Sequence, residues 1–148
     1  MRPIYESPRD RENQERVARK LEIAWKVKLK ATEQLHFADY WVRKGGALVG
    51  IVEIKCRLGY YSTSFPTLMI GTRKIRNSQE YVAGSDLKFI LVPEWKDGIF
   101  WRRIQPDCTF KIQRGGRTDR GDPQDIEECF FILVSSFKKV KGTQICIL

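Results

Sequence analysis

The chain has 148 residues, 42% of them apolar and 11% aromatic, which is enough to build a core and excludes both a disordered chain and a disulfide-stapled miniprotein. Twenty-seven Lys and Arg against eighteen Asp and Glu leave a formal charge of +9, which favours a densely anionic partner, nucleic acid foremost. The longest apolar runs are only strand-length and no basic amphipathic helix carries a Trp/Leu face, which argues against a membrane partner.

The N-terminus is highly charged and has no apolar segment of the kind a secretory signal needs. The expectation is therefore an intracellular, cytoplasmic protein whose mature form is the whole chain, residues 1–148, as a single domain. In "SPRDRENQERVARKLEIAWK", Ser7 is a candidate N-cap, Pro8 stands at the first helical position, and Asp10 follows three after the cap. Val17, Leu21 and Ala24 then recur at helical spacing, with Ile23 and Trp25 broadening the apolar face. Helix gives way to strand near Lys26, because in "VKLKATEQL" the residues Val27, Leu29 and Ala31 alternate with Lys28 and Lys30. His36 follows; as a lone histidine at a strand edge it is more often a surface group than a general base.

"FADYWVR", the "KGG" turn and "ALVGIVEIKCR" predict a hairpin, since two β-rich runs flank glycines able to take positive φ. "LGYYSTSFP" reads as a loop and "TLMIG" as a short apolar segment. Thr72 is a candidate cap for a helix over "RKIRNSQEYVA" that stops at Gly84. "DLKFILVPEW" and "IFWRRI" flank Asp97-Gly98, a second hairpin turn. The polar "QRGGRTDRGDPQD" reads as a loop before a last strand, "CFFILVSSF", and a basic tail. Cys56, Cys108, Cys129 and Cys146 form no CxxC pair and are expected as free thiols rather than a zinc site. The order of elements predicts an α/β (α+β) domain.

Within "GIVEIKCR" an acid and a base interrupt an apolar run. If Lys44-Gly45-Gly46 is a three-residue loop, Asp39 faces Ile51. Asp39, Glu53 and Lys55 then share one face of the hairpin, the two acids lying on a diagonal of about 7–8 Å. A two-residue loop would place Glu53 on the opposite face unless a bulge restored the parity. Two carboxylates and the Ile54 carbonyl are the hard ligands that Mg²⁺ takes while keeping several waters. Lys55 beside them could orient or deprotonate an attacking water and neutralise charge on a phosphate.

"FAD" followed by "VEIK" resembles the PD-(D/E)XK nuclease superfamily, in which an acid on the second strand precedes a Glu/Asp-x-Lys on the third. Ala38 stands where the family name has proline. The resemblance covers roughly the first ninety residues, up to "KFILV". It implies a restriction-endonuclease-like αβββαβ core: a central mixed sheet flanked by helices, here with extra C-terminal strands. It further implies Asp39 and Glu53 as ligands of Mg²⁺ or Mn²⁺, Lys55 as the catalytic lysine, and a first-helix glutamate, Glu15 before Glu12, completing the site. Lys74 falls where members place a polar residue near the site. The implied activity is phosphodiester hydrolysis in DNA. The small, phage-like chain suggests a mobile-element enzyme, and by analogy a homodimer could span a duplex.

Plainer readings stand beside each of these. Glu-x-Lys in a strand is commonly a solvated charge pair, and Glu12, Glu15 and Glu22 lie among basic residues where helical ion pairs are ordinary. Arg114, Arg117 and Arg120 could grip phosphate, or be neutralised by Asp119, Asp122 and Asp125 in the same loop. Trp41, Trp95 and Trp101 could stack on bases but are more often core. The rivals to a nuclease are a nucleic-acid-binding module without catalysis and a structural or inhibitory protein that docks on another protein.

Overall fold

The computed structural model describes residues 7–33, 37–115 and 127–141. Helix α1 (Pro8–Trp25) begins at a capping box: the Ser7 hydroxyl accepts from the Asp10 N–H, and the Asp10 carboxylate accepts from the Ser7 N–H. Lys26 ends it in the left-handed conformation, donating its N–H to the Glu22 carbonyl. Val17, Ala18, Leu21, Ala24 and Trp25 are buried. Ile23, expected on that face, is 74% exposed, because two residues beyond Leu21 is about 200° around the helix.

Strands β1 (Lys28–Ala31), β2 (Tyr40–Lys44) and β3 (Ala47–Arg57) form an antiparallel meander. The predicted first strand ran on to Leu35; the observed one stops at Ala31, and residues 34–36, His36 among them, lie outside the described residues. After β4 (Thr67–Gly71) comes α2 (Thr72–Val82), and then β5 (Lys88–Trp95), which returns parallel to β3. Thr72, expected as the cap of α2, is its first helical residue; Gly71 occupies the cap position and gives no side-chain bond. Strand β6 (Gly98–Arg103) pairs antiparallel with β5. β9 (Lys138–Lys139) closes that edge with two lysines, which discourage further strand pairing. The sheet order is β1-β2-β3-β5-β6-β9.

β3 and β5 read as nearly continuous apolar runs because both of their faces are covered. On one face α1 packs Val17, Leu21 and Trp25 onto Val52, Ile54, Ile90 and Val92. On the other, Ile75 and Val82 of α2 join Ile51, Phe89 and Leu91. A second, three-stranded sheet in the order β4-β8-β7, with β7 spanning Lys111–Gly115 and β8 Glu127–Leu133, adds Leu68, Ile70, Phe130 and Ile132 to that second core. The architecture is a mixed α/β fold: a central mixed sheet, two helices and extra strands, as a restriction-endonuclease-like core requires.

In the C-terminal part the expected extra strands form, and one of them, β7, was not foreseen. Lys111 to Gly115 sits in what composition marks as the approach to a polar loop, yet it pairs with β8. Its side chains are almost all exposed, so no period-two pattern announces it. Cys56 and Cys108 are half-buried and Cys129 is buried, all three with free thiols; Cys146 lies outside the described residues. Among the described residues no helix is long and apolar enough to cross a membrane.

Candidate active site

The β2–β3 connection is a two-residue turn, not the three-residue loop expected. Lys44 opposes Ala47 across Gly45 and Gly46, whose φ values of 58° and 84° suit a turn that needs two positive φ angles. That register alone would have sent Glu53 to the face opposite Asp39. The ladder then shifts: Arg43 opposes Leu48 but Val42 opposes Gly50, so Val49 is an extra residue on β3. Beyond this bulge Tyr40 opposes Val52, and the next position along brings Asp39 level with Glu53. The bulge thus restores the parity that the turn removes, and the two carboxylates meet on the α2 face.

Glu53 is completely buried, and neither of its carboxylate oxygens has a hydrogen-bond partner. Burial, and secondarily the Asp39 charge, raises its pKa from 4.5 to about 7, against the opposing pull of Lys55 and Lys74. The Lys55 ammonium lies 3.4 Å from Glu53 Oε2. Lys74, in the first turn of α2, lies 3.1 Å from Asp39 Oδ1 and 3.9 Å from Glu53 Oε2, so one ammonium faces both acids. Asp39 is fixed from the other side: its Oδ2 accepts the Ile54 N–H at 2.8 Å. In an extended strand the N–H and C=O of one residue point to the same side, so the Ile54 carbonyl faces the same edge, beyond the end of β2.

The donor chemistry fits a hard divalent cation. Among the described residues no group of three or more His, Cys, Asp or Glu side chains forms a metal cage. Mg²⁺ needs no such cage, because it binds through one or two carboxylates and keeps several waters. The buried Glu53 oxygens, which lack a hydrogen bond, and an ammonium drawn between Glu53 and Asp39 mark a place where positive charge is stabilised by both acids.

Other candidates from the sequence lie elsewhere. Glu15 accepts a hydrogen bond from the Tyr40 hydroxyl at 3.1 Å and pairs with Arg19 at 3.2 Å. Tyr40 packs in the α1 core, so this carboxylate is engaged on the opposite face of the sheet from Glu53. Burial and the Glu15 charge keep the Tyr40 phenol protonated, its pKa pushed well up. Glu12 is an exposed residue of α1. Arg114 is an exposed residue of β7, opposite Glu128 in the second sheet, whereas Arg117 and Arg120 lie outside the described residues. Trp95 is buried and Trp101 half-buried, in keeping with a core role. Lys74, which the resemblance sets near the site, does face the two carboxylates, from the first turn of α2. A cluster of Phe37, Trp41 and Tyr81 rings beside Asp39 went unread apart from Trp41.

Residues 1–140 match the sequence model of a family described as "Phage putative PDDEXK endonuclease". No curated protein matches the chain, and no solved structure does.

Proposed function

Because the chain belongs to the phage PDDEXK endonuclease family, we propose that it is a Mg²⁺- or Mn²⁺-dependent nuclease that hydrolyses phosphodiester bonds in DNA at a site built from Asp39, Glu53 and Lys55. The observation that carries this reading is the fully buried Glu53 carboxylate, level with Asp39 and faced by two ammonium groups, in a chain of net charge +9. Nothing in the packing of the sheet calls for a buried acid there, and an apolar side chain would avoid the desolvation cost.

Asp39, Glu53 and the Ile54 carbonyl would hold the cation. A bound divalent ion supplies a water of lowered pKa and neutralises charge on the phosphate. The protein's own contributions are positional. The Ile54 N–H holds Asp39 Oδ2 in place, so its other oxygen faces the site. Lys55, its side chain 30% exposed, can turn its ammonium from Glu53 to a phosphate oxygen and stabilise charge that develops there. Lys74 balances the charge of the two acids. Glu15 supports the site at one remove, through Tyr40, rather than as a ligand. The basic surface supplies sequence-independent affinity.

The test is to incubate wild type and Glu53→Gln with supercoiled, linear and single-stranded DNA and with RNA, each in Mg²⁺, Mn²⁺ and EDTA. Cleavage of DNA by wild type only, abolished by EDTA, is expected. Binding without cleavage by either protein in any metal would overturn the catalytic reading and leave a nucleic-acid-binding module.

A further inference from the structure

The face of the sheet that carries Asp39 continues outward across β2 and β1, and α2 leaves that outer part uncovered. Trp41 pairs with Lys30 and Arg43 with Lys28, and residues directly opposite in an antiparallel ladder project to the same side. Trp41 also pairs with Ile51 and packs against the α2 core, which identifies that side as the one holding the carboxylates. Lys28, Lys30 and Arg43 are all exposed.

At the inner end of this strip stand three aromatic rings from two segments. Tyr81 of α2 meets Phe37 at 4.5 Å and Trp41 at 5.6 Å between ring centroids, and Phe37 meets Trp41 at 5.3 Å. The rings are not closed over: Phe37 and Trp41 are half-buried and Tyr81 is 45% exposed. Phe37 and Trp41 flank Asp39 in sequence. Tyr81 lies two helical turns beyond Lys74, about 10 Å along the helix axis. Exposed rings at the mouth of a phosphate-directed site, joined to a row of cations, are the two components with which proteins hold an unpaired strand: charge for the backbone and π-faces for the bases. A duplex keeps its base faces stacked inside and has no use for the rings.

We infer that Phe37, Trp41 and Tyr81, with Lys28, Lys30 and Arg43, form a platform that binds an unpaired segment of nucleic acid and leads it to the Asp39–Glu53 site. The proposal rests on the reading of nucleic acid as substrate and narrows it to single-stranded or locally opened substrates. A strand crosses the row of Lys28, Lys30 and Arg43 by its phosphates, and a base stacks on the exposed ring of Tyr81.

The test separates binding from cleavage. Fluorescence anisotropy in EDTA compares a short labelled single strand with a blunt duplex of the same sequence, for wild type, Tyr81→Ala, Tyr81→Phe and Lys30→Glu, each verified as folded by thermal melting. Expected are tighter binding of the single strand by wild type, about ten-fold or more; a loss of about five-fold or more for Tyr81→Ala on the single strand with little change on the duplex; and retention by Tyr81→Phe. Lys30→Glu, at an exposed strand position, should also weaken single-strand binding. Equal or tighter binding of the duplex, equal losses on both substrates, no effect of either Tyr81→Ala or Lys30→Glu, or no binding of either oligonucleotide would overturn the platform. If the single-strand preference holds while no metal supports cleavage, the nuclease reading fails and the platform stands; if duplex DNA is cut and bound in preference, the platform fails and the nuclease stands.

Discussion

Glu53→Gln should make the protein more stable as it makes it inactive, and the effect should depend on pH in a calculable way. The Glu53 carboxyl is completely buried with both oxygens lacking a hydrogen-bond partner, and its pKa rises from 4.5 to about 7 on folding. Below pH 4.5 the group is protonated in both folded and unfolded chains and contributes no pH dependence. Between 4.5 and about 7 the folded state holds a proton that the unfolded state has released, so stability falls as pH rises; above 7 the loss is complete. That rise corresponds to about 3 kcal/mol, at about 1.4 kcal/mol for each tenfold change in proton affinity. Glutamine has the same shape and no charge, so the variant lacks this slope. Lys55 and Lys74 lose a partner, but both side chains are 30% exposed and can hydrate, and Lys74 keeps Asp39. Urea denaturation in EDTA, followed by circular dichroism near pH 4 and pH 8.5, measures the change in the stability difference between the two proteins. The expected change favours Glu53→Gln at pH 8.5 by about 2–3 kcal/mol relative to pH 4. A difference that does not vary with pH, or that grows in favour of wild type, would refute the argument that the ionised carboxylate is held against its solvation.

Asp39→Asn should melt within about 1 kcal/mol of wild type, because the amide oxygen can still accept the Ile54 N–H, yet it should abolish the rise in melting temperature that Mn²⁺ gives wild type. Lys74→Met should lower stability at pH 8.5 without metal by about 1–2 kcal/mol, since the two acids lose a shared counter-charge, and Mn²⁺ should recover most of the loss in a thermal-shift assay. Glu15→Gln should retain cleavage within about ten-fold of wild type under conditions where Glu53→Gln shows none, as kinetics on a plasmid substrate would reveal. Arg16→Met leaves Glu94, 6% exposed, without its guanidinium and should cost about 1–3 kcal/mol in urea denaturation, the partial exposure of Arg16 moderating the loss.

The hairpin and the α1 cap were legible because their signals are local: two glycines between β-rich runs, and a Ser-Pro-x-Asp start. The helix–meander–helix–strand order was legible for the same reason. The register that decides whether Asp39 can meet Glu53 was not, since both a three-residue loop and a two-residue turn with a bulge fit the same letters. Only packing distinguishes them, through the extra residue at Val49. Strand β7 escaped because a strand exposed on both faces carries no hydrophobic period, and what creates it is pairing with β8 from beyond the polar segment. Glu15 shows a limit of another kind. Its helix position was read correctly, but which face of the sheet α1 covers is a tertiary fact, and that fact gives its carboxylate to Tyr40. Likewise the meeting of Tyr81 with Phe37 and Trp41 joins two segments far apart in sequence.

The measurement that bears most directly on the account is a calorimetric titration of Mn²⁺ into wild type, Glu53→Gln and Asp39→Asn at pH 6 and pH 8. The account predicts one Mn²⁺ site in wild type, bound more tightly at pH 8 because Glu53 must give up its proton to take the metal, and no such site in either variant. Absence of Mn²⁺ binding by wild type, or unchanged binding by Glu53→Gln, would contradict it.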